Sequence, residues 1–469
     1  MWSMIKNEWR LLIRNRVLLG VSVGFIGLLV LTIYLGNEES KEQSERYEKA
    51  KAHMCEQWES IKEMNPHGAA HYGTYVFKPN NSLSSLDEGV NNITGNVLRV
   101  EGHVQNEIVH SEASQSQVVS KFGKLKGSLI LQYTVPLLLI FLAFQSISGE
   151  KQSGRLKLLL MQGTKPSKLI FSKALSVWLL GNLLLLITIL AYALFIGSDM
   201  NSEIFTRTAF LALSYSLYYF VLTALTIYFS IRWSNSNVSL TTMLGIWIVW
   251  TIFLPNIIMS SVENWHKLPS REEFKTAMDD DRSQGLDGHN PEDERSKELE
   301  EQTLKKYGVD SVSQLPINFD GIVMQADEEY GNKVWDKHFG DLRKVLTKQK
   351  QSYQLGGIIN PFISLQNMSM GFAGNDNLHH QEFLVQVEKY RRVFIKRLND
   401  EHAYGGSKSG EWGWKADNAF FKSVEDFVYK PTPFAKVVSN YVMDLVLLLL
   451  WVLIACILLI LGTKKMRVL

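Results

Sequence analysis

Histidine is the residue type in this chain whose spacing most directly suggests chemistry. His67 and His71 are four apart, which on a helix would set both imidazoles on one face for a divalent metal, and His379-His380 would complete the set. Pro66 and Gly68 weigh against a helix there, and no H-E-x-x-H pattern occurs. Surface or structural roles are the favoured reading, and no metal is assigned. The phosphate-cradling pattern G-x-x-x-x-G-K-[ST] is also missing, since Gly123-Lys124 is followed by Leu125. Two cysteines, Cys55 and Cys456, are too few for a disulfide scaffold or a Cys-based zinc site. A different group of polar residues sits inside apolar runs: Gln132, Asn182, Ser216, Tyr219 and Thr242. Polar groups in a membrane avoid lipid and face other helices, so these are candidates for lining a path. Asp444 lies within a turn of the end of its apolar run, which favours an interfacial position over a proton relay.

The elements that must position these residues are long and apolar. A mean hydropathy of −0.04 conceals six near-continuous runs: 17–35, 127–147, 174–196, 208–231, 238–259 and 441–461. A spanning helix needs ~20 apolar residues, so each run qualifies by itself. The fold class expected is an all-α membrane protein with six transmembrane helices. A soluble globular protein and a nucleic-acid binder with a basic face are both excluded.

Charge sets the orientation. If the six runs alternate from a cytoplasmic start, the inner pieces are 1–16, 148–173, 232–237 and 462–469, and they hold fourteen Lys and Arg against only Glu8 and Glu150. Short cytoplasmic loops are enriched in basic residues, so both termini are expected to be cytoplasmic. The first run lacks a small-residue cleavage site and reads as a retained helix. Before it, Trp2, Ile5, Trp9 and Ile13 oppose Lys6, Asn7, Arg10 and Arg14, the pattern of an amphipathic helix on the inner membrane surface.

Two large inserts, 36–126 and 260–440, then face outward and carry all the histidines. Both read as mainly helical. Tyr47, Ala50, Met54, Trp58 and Ile61 recur at helical spacing over 38–64, a helix that Asn65-Pro66 would break. Ser270-x-x-Glu273 has the form of a capping box, Asn290-Pro291 starts a charged helix that Gly308 ends, and 279–293 reads as an acidic loop. Phe383, Leu384, Val387, Tyr390, Phe394 and Leu398 share one helical face. The two inserts are expected to pack on each other.

The inner loop 148–173 is a short basic helix, broken at Gly163 and restarted by Pro166. Leu156, Leu159 and Leu160 would form an exposed apolar stripe, to be buried by a partner protein or the inner leaflet. Glu150, Gly154, the run Leu158–Leu160, Pro166-Ser167 and Lys173 resemble the loop between the second and third spans of ABC-2 type exporter permeases. The resemblance implies that Glu150, Gly154, Arg155, Leu156, Leu158, Leu159, Leu160 and Pro166 belong to a coupling helix, which docks into a cleft of an ATP-binding subunit. His71–Pro79, Leu86–Val90, Glu101–Asn106, Gly371–Asp376 and Glu388–Arg392 are similar to a bacterial subgroup whose large ectodomain has no known function. Two positions depart from that pattern, Gln366 where a basic residue is expected and Asn375 where Thr is.

What the resemblance implies is a permease subunit in a bacterial cytoplasmic (inner) membrane. It would pair with a second copy or a sister permease over a cytoplasmic ABC ATPase dimer and would touch membrane lipid but no nucleic acid. The chain itself would need no cofactor and perform no catalysis, because ATP and Mg would bind the partner. ATP hydrolysis would drive a substrate outward. Two alternatives belong to other classes: a mechanotransmission complex that acts on an envelope partner without transport, and a membrane-anchored ectodomain enzyme.

Overall fold

The computed structural model describes residues 1–14, 16–105, 126–197 and 200–466. Gly123-Lys124, His110 and Arg467 lie outside them, as do the side chains at 12, 17–19, 21 and 196. Helix α1 (Trp2–Arg14) is amphipathic as expected, with Ile5 buried on the bundle and Trp2 and Ile13 exposed. α2 (Arg16–Glu59) runs unbroken for 44 residues, about 66 Å at a helical rise of 1.5 Å per residue. It contains the first apolar run and continues far beyond it. It ends five residues short of the expected break, because Glu63–Met64 (β1) instead pair with Ala416–Asp417 (β4).

Among the described residues, five helices are long and apolar enough to cross a membrane. They are α5 (Gly127–Gln152), α7 (Pro166–Ile196), α8 (Ser202–Arg232), α9 (Ser236–Trp265) and α16 (Phe434–Met466). Each contains one of the apolar runs. α8 is the central helix, packed against α5, α7 and α16, with Tyr215, Tyr218, Leu222 and Ile227 fully buried. α16 instead leaves Leu450, Leu453, Ile457 and Ile460 exposed, an outer face suited to lipid.

The second insert is not a separate body. After α10 (Arg271–Gln284), α11 (Glu292–Tyr307) and the 37-residue α12 (Phe319–Leu355), the chain turns through Gly356-Gly357 into α13 (Pro361–Ala373). Phe362, Leu365, Met368 and Phe372 of α13 share the hydrophobic core of the apolar bundle, between α8 and α16. Gly371 makes this fit: a β-carbon there would stand 2.1 Å from the Tyr441 ring. The expected capping box at Ser270 forms, and Gly308 ends α11 in the left-handed conformation. The expected acidic loop 279–293 is shorter than read, since α10 continues to Gln284.

The remaining parts of both inserts build one lobe with its own core. α14 (Asn377–Tyr404) presents Phe383, Val387, Phe394 and Leu398 to Trp58 of α2, to Val76 and Val100, and to Phe421. Val76 and Val100 lie on an antiparallel ladder of β2 (Thr74–Phe77) and β3 (Val97–Val100), with Val76 opposite Leu98. Between them runs α4 (Asn91–Thr94), and α3 (Pro66–Tyr72) precedes them, while α15 (Asn418–Lys422) carries Phe421. α12 and α14 are joined by charge: Arg391 of α14 reaches Glu328 of α12 at 2.7 Å and is also held by Glu388 of its own helix at 2.9 Å.

Candidate functional site

The loop between α5 and α7 is held by its own polar side chains. Gly154, at φ +75, turns the chain into α6 (Arg155–Met161), a conformation that glycine adopts without steric cost. The N–H groups of Ile147 and Ser148 both donate to Ser230 Oγ at 3.0 Å. Ser148 Oγ donates to Ser236 Oγ at 3.0 Å, and Ser236 in turn to Gln152 Oε1 at 2.9 Å. Lys151 donates to the Ile231 carbonyl, so the loop is bolted to the turn between α8 and α9. On its other side, the buried Lys173 ammonium bridges Glu8 at 2.7 Å and Glu150 at 2.9 Å. Trp9 donates to the Ser176 carbonyl at 3.0 Å, which adds α1 to the same assembly. Glu150 thus sits inside this assembly, and Pro166 opens α7 at its first turn.

The expected stripe is corrected by this packing. Leu156 is only 4% exposed and belongs to the bundle core, and Leu159 and Leu160 pack partly against that core. The short helix folds back on its own bundle, which buries the side chains that the sequence pattern reserves for a partner. The apolar groups left outward are Leu158 at 59% and Met161 at 75% exposure. Around them Arg155, Lys157, Lys165 and Lys168 are all exposed.

The candidate path residues are not brought together as one set. Gln132 is buried and donates toward Asp87, Tyr215 and Ser369 over 3.2–3.4 Å, while Tyr215 and Ser369 are 2.9 Å apart. Tyr219, one turn further along α8, donates to the Leu131 carbonyl at 2.9 Å. Gln132 therefore belongs to a polar cluster with Asp87, Tyr215 and Ser369, and Tyr219 reaches only the backbone beside it. Asn182 and Thr242 instead bond carbonyls of their own helices, and Ser216 offers only its carbonyl to Trp178. Asp87 and Gln132 also line an open cleft with Lys126, Tyr133, Gln366 and Met370. Burial pushes the Asp87 carboxyl above the usual range, against the hydrogen bonds from Ser369 and Gly89.

Asp444 is fully buried and accepts from Gln354 and from Asn367 at 2.9 Å, so it is enclosed by protein amides. Asn375, one of the two departures noted above, is a hub that sequence reasoning missed. Its side chain accepts from Ser84 at 3.1 Å and Asn91 at 2.8 Å and donates to the Asp87 carbonyl. Its backbone carbonyl, reached by the Val90 N–H at 2.8 Å, passes so close to Gly89 (φ +53) that a β-carbon would be 2.1 Å away.

The histidines separate into two groups. Asn65 caps α3 and Pro66 starts it, so the helix forms despite Gly68 and brings His67 and His71 together, with Nε2 atoms 3.1 Å apart. His379 and His380 do not complete that set. His379 is ion-paired with Asp376, which is also bonded by Tyr441, and His380 is buried beside Lys78. These contacts to His379 and Tyr441 hold the Asp376 carboxyl below the usual range in spite of its burial. The third partner of His67 and His71 is His103, from the segment after β3.

The geometry is thus a helical membrane bundle with an anchored basic loop at one end and a lobe at the other. Comparison with known families adds the lineage. The model of ABC-2 family transporter proteins matches residues 2–289, and a domain of unknown function (DUF3526) matches 271–430. No curated protein and no solved structure matches the chain. Members of the ABC-2 family are multi-pass membrane permeases, normally without catalysis of their own, that associate with a cytoplasmic ATPase subunit. With more than half its length covered, this chain belongs to the ABC-2 family of transporter proteins.

Proposed function

We propose that the chain is one half of the membrane part of an ATP-driven exporter. The run 17–35 adds a sixth span, the termini and loop 148–173 are cytoplasmic, and the lobe lies outside a bacterial inner membrane. Two such halves, identical copies or sisters, sit over an ATPase dimer that binds ATP and Mg. α6 is the coupling helix, and closure of the ATPases pushes on it. The observation that carries this reading is the loop itself. Leu158 and Met161 are exposed with Arg155, Lys157, Lys165 and Lys168 around them, while hydrogen bonds and ion pairs tie the loop to α7, α8, α9 and α1. A load applied there passes into the bundle instead of bending the loop. The cleft lined by Asp87 and Gln132 is the proposed outer mouth of the path.

Co-purification with the ATPase subunit tests the reading. Arg155→Glu combined with Leu158→Asp is expected to abolish association while membrane insertion is kept. An intact complex in that variant overturns the coupling assignment.

A second reading, mechanotransmission without transport, is favoured by α2. This helix links the sixth proposed span directly to Trp58 in the lobe core, so that tilting the span would swing the lobe. ATP-dependent accumulation of a substrate inside inverted vesicles supports export. An envelope partner captured without any such flux supports mechanotransmission.

A further inference from the structure

We propose that His67, His71 and His103 form a binding site for one divalent transition-metal ion, with zinc the best chemical fit. One ring nitrogen from each histidine lies within 4.8 Å of the others. The ring centroids are 4.6, 5.5 and 5.3 Å apart, so the three imidazoles converge on one point. In a tetrahedral zinc site with Zn–N bonds of ~2.0–2.1 Å, neighbouring nitrogens are about 3.3 Å apart. The Nε2 atoms of His67 and His71, at 3.1 Å, need to part by only a few tenths of an ångström.

The surroundings of His103 resemble a prepared ligand. Its backbone is held at φ +63, the one described non-glycine residue in that region, and its N–H donates to the Glu328 carboxylate. The same carboxylate oxygen stands 3.2 Å from His103 Nδ1. A carboxylate behind a ligating imidazole fixes the tautomer and leaves Nε2 for the metal. Glu328 is itself immobilised by Arg391 at 2.7 Å. Asp327, 3.9 Å from the same Nδ1, is engaged by Arg282. The donor set holds no thiolate, and imidazoles suit zinc, copper and nickel over calcium or magnesium. His71 is exposed, so the fourth position opens to solvent. An ion here would fasten α3 to the segment after β3, and through Glu328 to α12. The site would therefore stiffen the junction between the two inserts whatever the protein moves.

The test uses the full chain in detergent, stripped of metal by a chelator and titrated with zinc chloride alone. One zinc per chain and a rise in the thermal midpoint are expected. His71→Ala and His103→Ala should each weaken zinc binding by at least about tenfold, as loss of support for a metal ligand typically does. His289→Ala, on an exposed turn, should leave it unchanged. Cobalt in place of zinc gives an independent signal, the visible absorption of a four-coordinate site, which His71→Ala should remove. Since the His71 side chain is exposed, its loss does not threaten folding. The proposal is overturned if the wild-type chain binds no zinc, or if His71→Ala and His103→Ala bind it as tightly as wild type.

Discussion

At the scale of single residues, this protein concentrates its risk in buried polar groups near the lobe end of the bundle. Asn375 satisfies Ser84, Asn91 and the Asp87 carbonyl at once. Asn375→Ala leaves several of these without a partner, at a cost of roughly 2–4 kcal/mol. A clear fall in the thermal midpoint of the purified chain is expected, and an unchanged midpoint would show that the hub is dispensable. Burial and the neighbouring Lys78 ammonium push His380 down to about 4, against about 6.5 in an unfolded chain. Between those values the unfolded chain binds a proton that the folded one refuses. Stability is therefore full above pH ~6.5 and is lost as pH falls toward 4, by roughly 2 kcal/mol from this group at pH 5. Thermal midpoints from pH 7 to 5 should fall steeply for wild type and less steeply for His380→Gln. Sequence alone could not assign these roles. His103 is separated from His71 by two strands and depends on an uncommon backbone angle, and Asn375 reads merely as a departure from a pattern.

Elements were legible where one physical signal dominated. Five of the six apolar runs, the capping box at Ser270 and the glycine stop at Gly308 appear where composition and spacing put them. α13 was not legible, because its 13 residues are too few to span a bilayer and are interrupted by Gln366, Asn367 and Ser369. Two of those polar residues find partners only in the folded chain, Asn367 on Asp444 and Ser369 on Tyr215. α6 failed in a different way. Helical spacing identifies an apolar stripe but not which neighbour covers it, and here the bundle itself takes Leu156. This distinction is open to measurement. Leu156→Asp should destabilise the chain through a buried charge, whereas Leu158→Asp should leave the unfolding free energy within about 0.5 kcal/mol of wild type, as for other surface changes. Loss of ATPase association in Leu158→Asp at unchanged stability is the expected pairing.

At the scale of the whole molecule, three features act in series: an anchored loop, a bundle centred on α8, and a lobe reached by the unbroken α2. The proposed stroke needs α2 to stay stiff. Lys41→Pro, at an exposed position just beyond the apolar run, costs about 3 kcal/mol of helix and introduces a hinge. ATPase association should survive this change, while ATP-dependent changes in protease sensitivity of the lobe should vanish. At the other end, Leu158 and Met161 are the proposed contact with the ATPase. In a chain carrying Cys55→Ser and Cys456→Ser, a cysteine placed at Leu158, at Met161 or at Leu156 and treated with a short thiol cross-linker in membranes tests it most directly. Adducts to the ATPase subunit are expected from Leu158→Cys and Met161→Cys and none from the buried Leu156→Cys. No adduct from any of the three, or labelling of Leu158→Cys by an impermeant reagent added outside intact cells, would contradict that contact.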